Sequence, residues 1–284
     1  MWISFALISA LILAGKRIYE KRLSDTFGNF AMGFIVHAFS LLPMFILIFL
    51  LPGGTDIGSL SWTFWWPLLI IWFILYPVQT YLMYRSMREG DVSAVVPVMA
   101  LLPVFTVATS FVLLGEAPSI LGWLGIILIV FGTYFMLWNK ASPQKISIPV
   151  LLMIGSMFCL SIGTALDKIS MQVSNPVFYS FVNTFGASVI FIILMHFYKE
   201  RSSFVQMRSR FWFLTLLGIF QAVGYISYIY AIGDGPVSYV LALRSGSFIL
   251  VALYGIFLLK ESMTGRKLFA LTCFLAGAIA LAFA

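Results

Sequence analysis

The sequence predicts an all-α polytopic membrane protein, with ten transmembrane helices arranged as two inverted five-helix repeats. Three observations predict it. The 284 residues are 62% hydrophobic and only 10% charged, at a mean hydropathy of +1.04. Globular domains carry nearer one-quarter charged residues, so lipid must be the solvent. Fifteen of the seventeen basic residues fall in five short gaps between apolar stretches, and those gaps alternate along the chain. Polar and glycine motifs also recur at a constant offset of 145 residues, from Ser93 to Ser238 and from Glu116 to Glu261.

A span needs about 20 apolar residues at 1.5 Å rise each. The first, 2–19, lacks the basic leader of a signal peptide and is expected to be a retained helix; it closes at Lys16-Arg17. The second, 28–51, ends on Pro52-Gly53-Gly54. The third, 63–85, opens on Trp62, Trp65 and Trp66, an interfacial aromatic belt, and carries Pro77. The fourth, 92–114, follows Gly90-Asp91-Val92-Ser93, contains Pro97 and Pro103, and ends in Leu113-Leu114-Gly115-Glu116. The fifth, 118–138, ends on Trp138, with Ser142-Pro143 in the loop beyond. The sixth, 148–169, ends at Asp167-Lys168, and the seventh, 176–198, opens at Asn175-Pro176. The eighth, 211–231, follows Lys199, Arg201, Arg208 and Arg210. The ninth, 236–259, opens on Gly235-Pro236-Val237-Ser238 and holds Arg244 in its interior; the tenth is 265–283. Short loops make sequential helices antiparallel neighbours.

The basic gaps are Lys16 to Arg22, Arg85 and Arg88, Lys140 and Lys145, Lys199 to Arg210, and Lys260 to Lys267. Lys/Arg excess marks cytoplasmic loops, which puts both termini outside. The net charge of +7 follows from that bias and from contact with anionic lipid, with no nucleic acid implied. Cys159 and Cys273 each sit within an apolar run, so neither a disulfide nor a metal site is expected.

The repeats run over residues 1–139 and 148–284. Five helices per half is an odd number, so the second half is inverted. Inverted repeats with a midplane site between them are the architecture of secondary transporters. Two five-helix halves, each with a Val-Ser turn, a long apolar helix, a Leu-Leu-x-Glu turn and a Gly-bearing last helix (Gly132, Gly277), resemble the drug/metabolite transporter superfamily, EamA type. The resemblance covers essentially the whole chain. It implies a central cavity and the movement of small metabolites. Family members usually hold both termini in the cytoplasm, whereas the charge pattern puts them outside.

Arg244 is the leading candidate for substrate binding. It lies about 12 Å into the ninth helix, near the middle of a core about 30 Å thick, where an Arg is costly without a cavity or partner. Ser245, Gly246 and Ser247 beside it leave room for a ligand. A carboxylate or phosphate suits its planar fork; the competing reading ties it to carbonyls of a neighbouring helix. Tyr76, Gln79, Thr80 and Tyr84 form one face of the third helix, and Gln221, Tyr225 and Tyr228 one face of the eighth. These stripes are expected to face each other across a cavity, or else to serve helix–helix hydrogen bonding. Lys16, Asp167 and Lys168 are candidates for the cavity ends or gates, although snorkelling to the interface is the simpler account of Lys16 and Arg17. Asn183, His37 and His196 are expected to be interhelical residues. Glu116 and Glu261 are expected to cap the next helix.

The function expected is secondary transport, in the export direction, of a small polar or anionic metabolite such as an amino acid, by alternating access. Its setting is a cell inner or plasma membrane, with the chain a monomer or homodimer that touches only substrate and lipid. The alternative is an intramembrane enzyme; no metal motif, no Ser/His/Asp set and no cofactor signature supports it.

Overall fold

The computed structural model describes residues 1–24, 26–50, 60–90, 95–137, 147–200, 202–250 and 265–284. The expected turns at Pro52-Gly54, Asp91-Ser93 and Ser142-Pro143, the loop bases Lys140 and Lys145, and Lys260-Glu261 lie outside the described residues. Among the described residues, ten main helical segments carry the fold, α-helical apart from a π turn and a 3-10 stretch.

Helix α1 runs Trp2–Ser24, past the expected end at 19. Lys16 pairs with Glu20 one turn on at 3.2 Å and Leu23 is fully buried, so the polar end of α1 packs as helix. The consequence is a correction: Lys16 and Arg17 are interior to a helix and do not end it. Helix α2 is Asn29–Leu50. Helix α3, Trp62–Glu89, contains a π turn at Ile71–Leu75 directly before Pro77. Proline lacks an N–H and its ring clashes with the carbonyl four residues back; a single wide turn absorbs both. The fourth span starts as a 3-10 helix, Val96–Leu101, and becomes α4, Leu102–Leu114, with a proline in the first turn of each piece. Gly115, at φ 70°, closes α4 in the left-handed conformation.

Helices α5, Ile120–Leu137, and α6, Ile148–Met171, follow. In α7, Pro176–Phe197, the Asn175 side chain accepts from Val177 N at 2.8 Å, and Pro176 presets the first turn. A short helix, Ser202–Ser209, precedes α8, Phe211–Asp234. Helix α9 is Val237–Ser245, interrupted by a turn at Gly246, where a Cβ would fall 2.1 Å from the Phe274 ring. At the repeat offset, this break corresponds to the end of the 3-10 stretch in the other half. Helix α10 is Gly265–Ala282.

Among the described residues, six helices are long and apolar enough to cross a membrane, and three shorter apolar helices accompany them. Large side chains such as Phe49 and Trp212 point outward, while Ser40, Ser110, Thr164 and Ser227 are buried. That distribution suits lipid outside and interhelical polar contact inside. Helix α1 packs on α8 and α3 on α6; α1 packs on α9 and α4 on α6; α2 meets α7, and α5 meets α10. Exchanging the halves converts the first pairing into the second and the third into the fourth, and returns α2–α7 and α5–α10 to themselves. The α5–α10 seam is the closest: a Cβ on Gly277 would lie 2.8 Å from the Gly125 carbonyl oxygen, and one on Gly132 would lie 2.6 Å from Cys273 Cβ. Such a seam requires glycine.

Candidate functional site

A cavity of about 260 Å³ lies inside the bundle. The expected first, third, fourth, sixth, eighth and ninth segments all contribute walls, and α2 adds Gly33, Val36 and His37. Its lining runs from Asp167, near the end of α6, to Glu20, Met83 and Tyr84, near the basic-loop ends of α1 and α3. Arg244, Ser245, Tyr76, Gln79, Thr80, Gln221, Tyr225, Tyr228, Lys16 and Asp167 line this one cavity; Lys168 does not.

Helical spacing explains the convergence. Residues three and four apart share a face, so the α3 and α8 stripes each present one polar ridge. The ridges meet through α7. Asn183, fully buried, directs its amide nitrogen at Tyr225 Oη (2.6 Å) and Tyr76 Oη (3.0 Å), and its oxygen accepts from Trp72 Nε1 at 2.9 Å. It is an interhelical hub, not part of the cavity surface. Asp167 Oδ1 accepts from the Tyr179 hydroxyl, from Asn183 Nδ2 at 3.3 Å and from Tyr225 Oη at 3.4 Å. A carboxylate buried in a membrane protein requires such donors.

Arg244 lies with its Cζ 4.2 Å over the Tyr228 ring, a cation–π contact. Its Nε is buried without a hydrogen-bond partner. The other half of the cavity holds a second such group: Arg17 Cζ sits 3.6 Å over the Phe248 ring, and its Nη1 is also buried and unpartnered. His37 Nδ1 is unpartnered too, and Tyr228 Oη interacts with Asp167 outside strict hydrogen-bond geometry. Arg17, His37, Tyr228 and Arg244, each with such an atom, all line this cavity. Elsewhere in the site the hydrogen bonding is internal. Gln79 Nε2 reaches Ser156 Oγ at 3.3 Å, Thr80 bonds Gln79, and the Ser245 hydroxyl donates to Ala242 O at 2.7 Å, on its own helix.

Lys168 lies one residue beyond Asp167, outside the cavity, and ties three helix ends together. Its ammonium pairs with Glu116 Oε1 and donates to Gly235 O at 2.9 Å. Glu116 Oε2 accepts from Val237 N at 2.9 Å. Glu116 therefore serves the first turn of α9, not of α5 as expected; Ser119 Oγ accepts from Gly122 N at the α5 start. The acid reaches α9 because α4 and α9 pack together at this end.

Sequence reasoning missed Arg17, Glu20, His37 and Tyr179. A signal existed for three of them: Ser9, Leu13, Arg17 and Glu20 are spaced as one helical stripe, and all four line the cavity. Tyr179 and Asn183, one turn apart on α7, carry the same signal. Among the described residues, no cluster of His, Cys, Asp or Glu is arranged to hold a metal.

A multi-pass helical membrane protein with a polar, aromatic-walled cavity at its centre is the class that this fold and site define. The chain belongs to the EamA-like transporter family, whose model matches residues 1–138 and again residues 147–283. It is a member of the drug/metabolite transporter superfamily, a family of transporters and not of enzymes. Among curated proteins, none matches the chain. A solved crystal structure shares its fold with a TM-score of 0.75 at 13% identity, over 99% of this chain and 98% of the other.

Proposed function

We propose that the protein is a secondary transporter that exports a small polar or anionic metabolite, such as an amino acid, across the cell's inner or plasma membrane by alternating access. The observation that carries this reading is the cavity itself, a central space shared between the halves with Arg244 resting on Tyr228 and its Nε unpartnered. A buried donor left without an acceptor is costly, and a substrate oxygen supplies one. The volume of about 260 Å³ suits a guest smaller than the drug-sized ligands of larger pockets. Inverted halves 1–139 and 148–284 are supported by the exchange symmetry of the helix pairings and give alternating access its two equivalent states.

In this reading the termini are outside and the cavity extends toward the cytoplasmic, basic-loop end. Arg244 holds the anionic group of the substrate, the tyrosines of α3 and α8 hold its body, and the Lys168 knot closes the outer end. One chain completes the cavity, so transport needs no second copy. The test is counterflow in sealed vesicles containing only this protein, preloaded with single amino acids or organic acids. Exchange of an anionic or zwitterionic solute that Arg244→Ala abolishes and Arg244→Lys weakens supports it. Normal exchange by Arg244→Ala, or exchange of neutral and cationic solutes only, overturns it.

A further inference from the structure

The cavity holds more positive charge than its acids neutralise. Its charged lining residues are Lys16, Arg17, Glu20, Asp167 and Arg244. Lys16 and Glu20 pair with each other at 3.2 Å. Asp167 is engaged by Tyr179, Asn183 and Tyr225 through one oxygen. Two guanidiniums remain, on α1 and α9, both lining the cavity and within electrostatic reach of each other, with Glu20 also acting on Arg17. Each carries its guanidinium carbon over an aromatic ring and each keeps a buried, unpartnered N–H. A ring engages a guanidinium's face and leaves its edge donors free for an acceptor. The sequence reading had dismissed Arg17 as snorkelling to the interface. It cannot snorkel: it lies about two turns before the end of α1, beneath Phe248 of the second half.

We propose that Arg17 and Arg244 form a two-armed clamp for a single carboxylate group, one arm from each half of the protein. Arg17, Arg244 and Asp167 sum to one net positive charge, which a monoanionic group neutralises. A carboxylate has lone pairs enough to accept from both forks at once. Bound there, it turns the mutual repulsion of the two arms into a bridge between α1 and α9. The clamp rests on the transporter reading for its purpose but not for its test.

The test uses the purified full-length protein in detergent, with benzoate, phthalate and benzylamine as probes. Each is titrated against the apparent melting temperature at constant ionic strength, because a ligand of the native state raises it. Benzoate is expected to protect the native protein and benzylamine is not. Arg17→Met and Arg244→Met are each expected to weaken benzoate roughly tenfold or more, as loss of a charge-assisted hydrogen bond does. The double variant is expected to lose little beyond either single, because both arms grip one group. Absence of benzoate protection overturns the clamp. So does unchanged affinity in Arg17→Met, or phthalate binding tenfold or more above benzoate, which would give each arginine its own carboxylate. If Arg17→Met fails to fold, Arg17→Lys takes its place, with weaker benzoate binding expected at unchanged stability without ligand; equal binding overturns the proposal. Vesicle exchange untouched by Arg17→Met removes the clamp and leaves the transporter reading. Benzoate held by both arginines without solute exchange does the reverse.

Discussion

Replacing Glu116 by glutamine tests the Lys168 knot, where one side chain serves two elements. The ammonium of Lys168, a residue only 7% exposed, keeps only the Gly235 carbonyl after the change. Removing one partner of a buried ion pair costs about 3–5 kcal/mol; the Glu116 side chain is 21% exposed, so screening brings the cost to about 2–3 kcal/mol. Loss of the negative charge at the α9 N-terminus adds about 0.5 kcal/mol, while the glutamine oxygen can still accept from Val237 N. A total near 3 kcal/mol corresponds to roughly a hundredfold change in an equilibrium constant. Lys168→Met alone should cost less, about 1–2 kcal/mol, because Glu116 keeps Val237 N and some solvent. The double variant, with no stranded charge, should recover part of the loss, to about 2 kcal/mol, giving a coupling of about 2.5 kcal/mol. The assay is denaturant unfolding in micelles followed by tryptophan fluorescence. A coupling below about 0.5 kcal/mol, or a Glu116→Gln loss below about 0.5 kcal/mol, would refute the reasoning.

Asn183→Leu should lower stability by about 3 kcal/mol, since Tyr76, Tyr225 and Trp72 lose a shared partner; a thermal scan beside Thr272→Ala, at an exposed site, checks it. Gly277→Val should prevent α5 and α10 from closing and cost more than about 3 kcal/mol, whereas Gly265→Ala, with nothing within 4 Å, should be neutral. Single cysteines at Ser59 and Gln206 should differ in intact cells: an impermeant thiol reagent reaches the first and misses the second, and the opposite pattern would invert the proposed orientation.

The spans were legible because hydropathy and helix length are local properties: Asn29–Leu50, Pro176–Phe197 and Gly265–Ala282 fall within two residues of the expected segments. Pro77 and Pro97 mark where the third and fourth spans leave regular α-helix, but not the π and 3-10 forms taken there. The end of α1 was not legible, because its last turns are polar and owe their order to the Lys16–Glu20 pair and to contacts with α8. Within the site, intrahelical spacing pointed to the α3 and α8 stripes and to Arg244. The partners of Asp167 and Glu116 come from helices remote in sequence, and no one-dimensional spacing encodes them. Arg17 was misjudged for a related reason: next to an apolar run, a basic residue that faces lipid headgroups and one that faces a cavity look alike.

The glycine seam between α5 and α10 has a mechanical consequence. These helices belong to different halves, yet Gly125 and Gly277 bring their backbones together with no side chain between to slide or compress. Neither helix lines the cavity. In the transport cycle proposed above, such a seam is suited to serve as the axis about which one half swings against the other, like a door on its post. On such an axis displacement would grow with distance from the seam while the glycines barely move. Loosening it would then remove the fulcrum and with it the link between closing one mouth and opening the other.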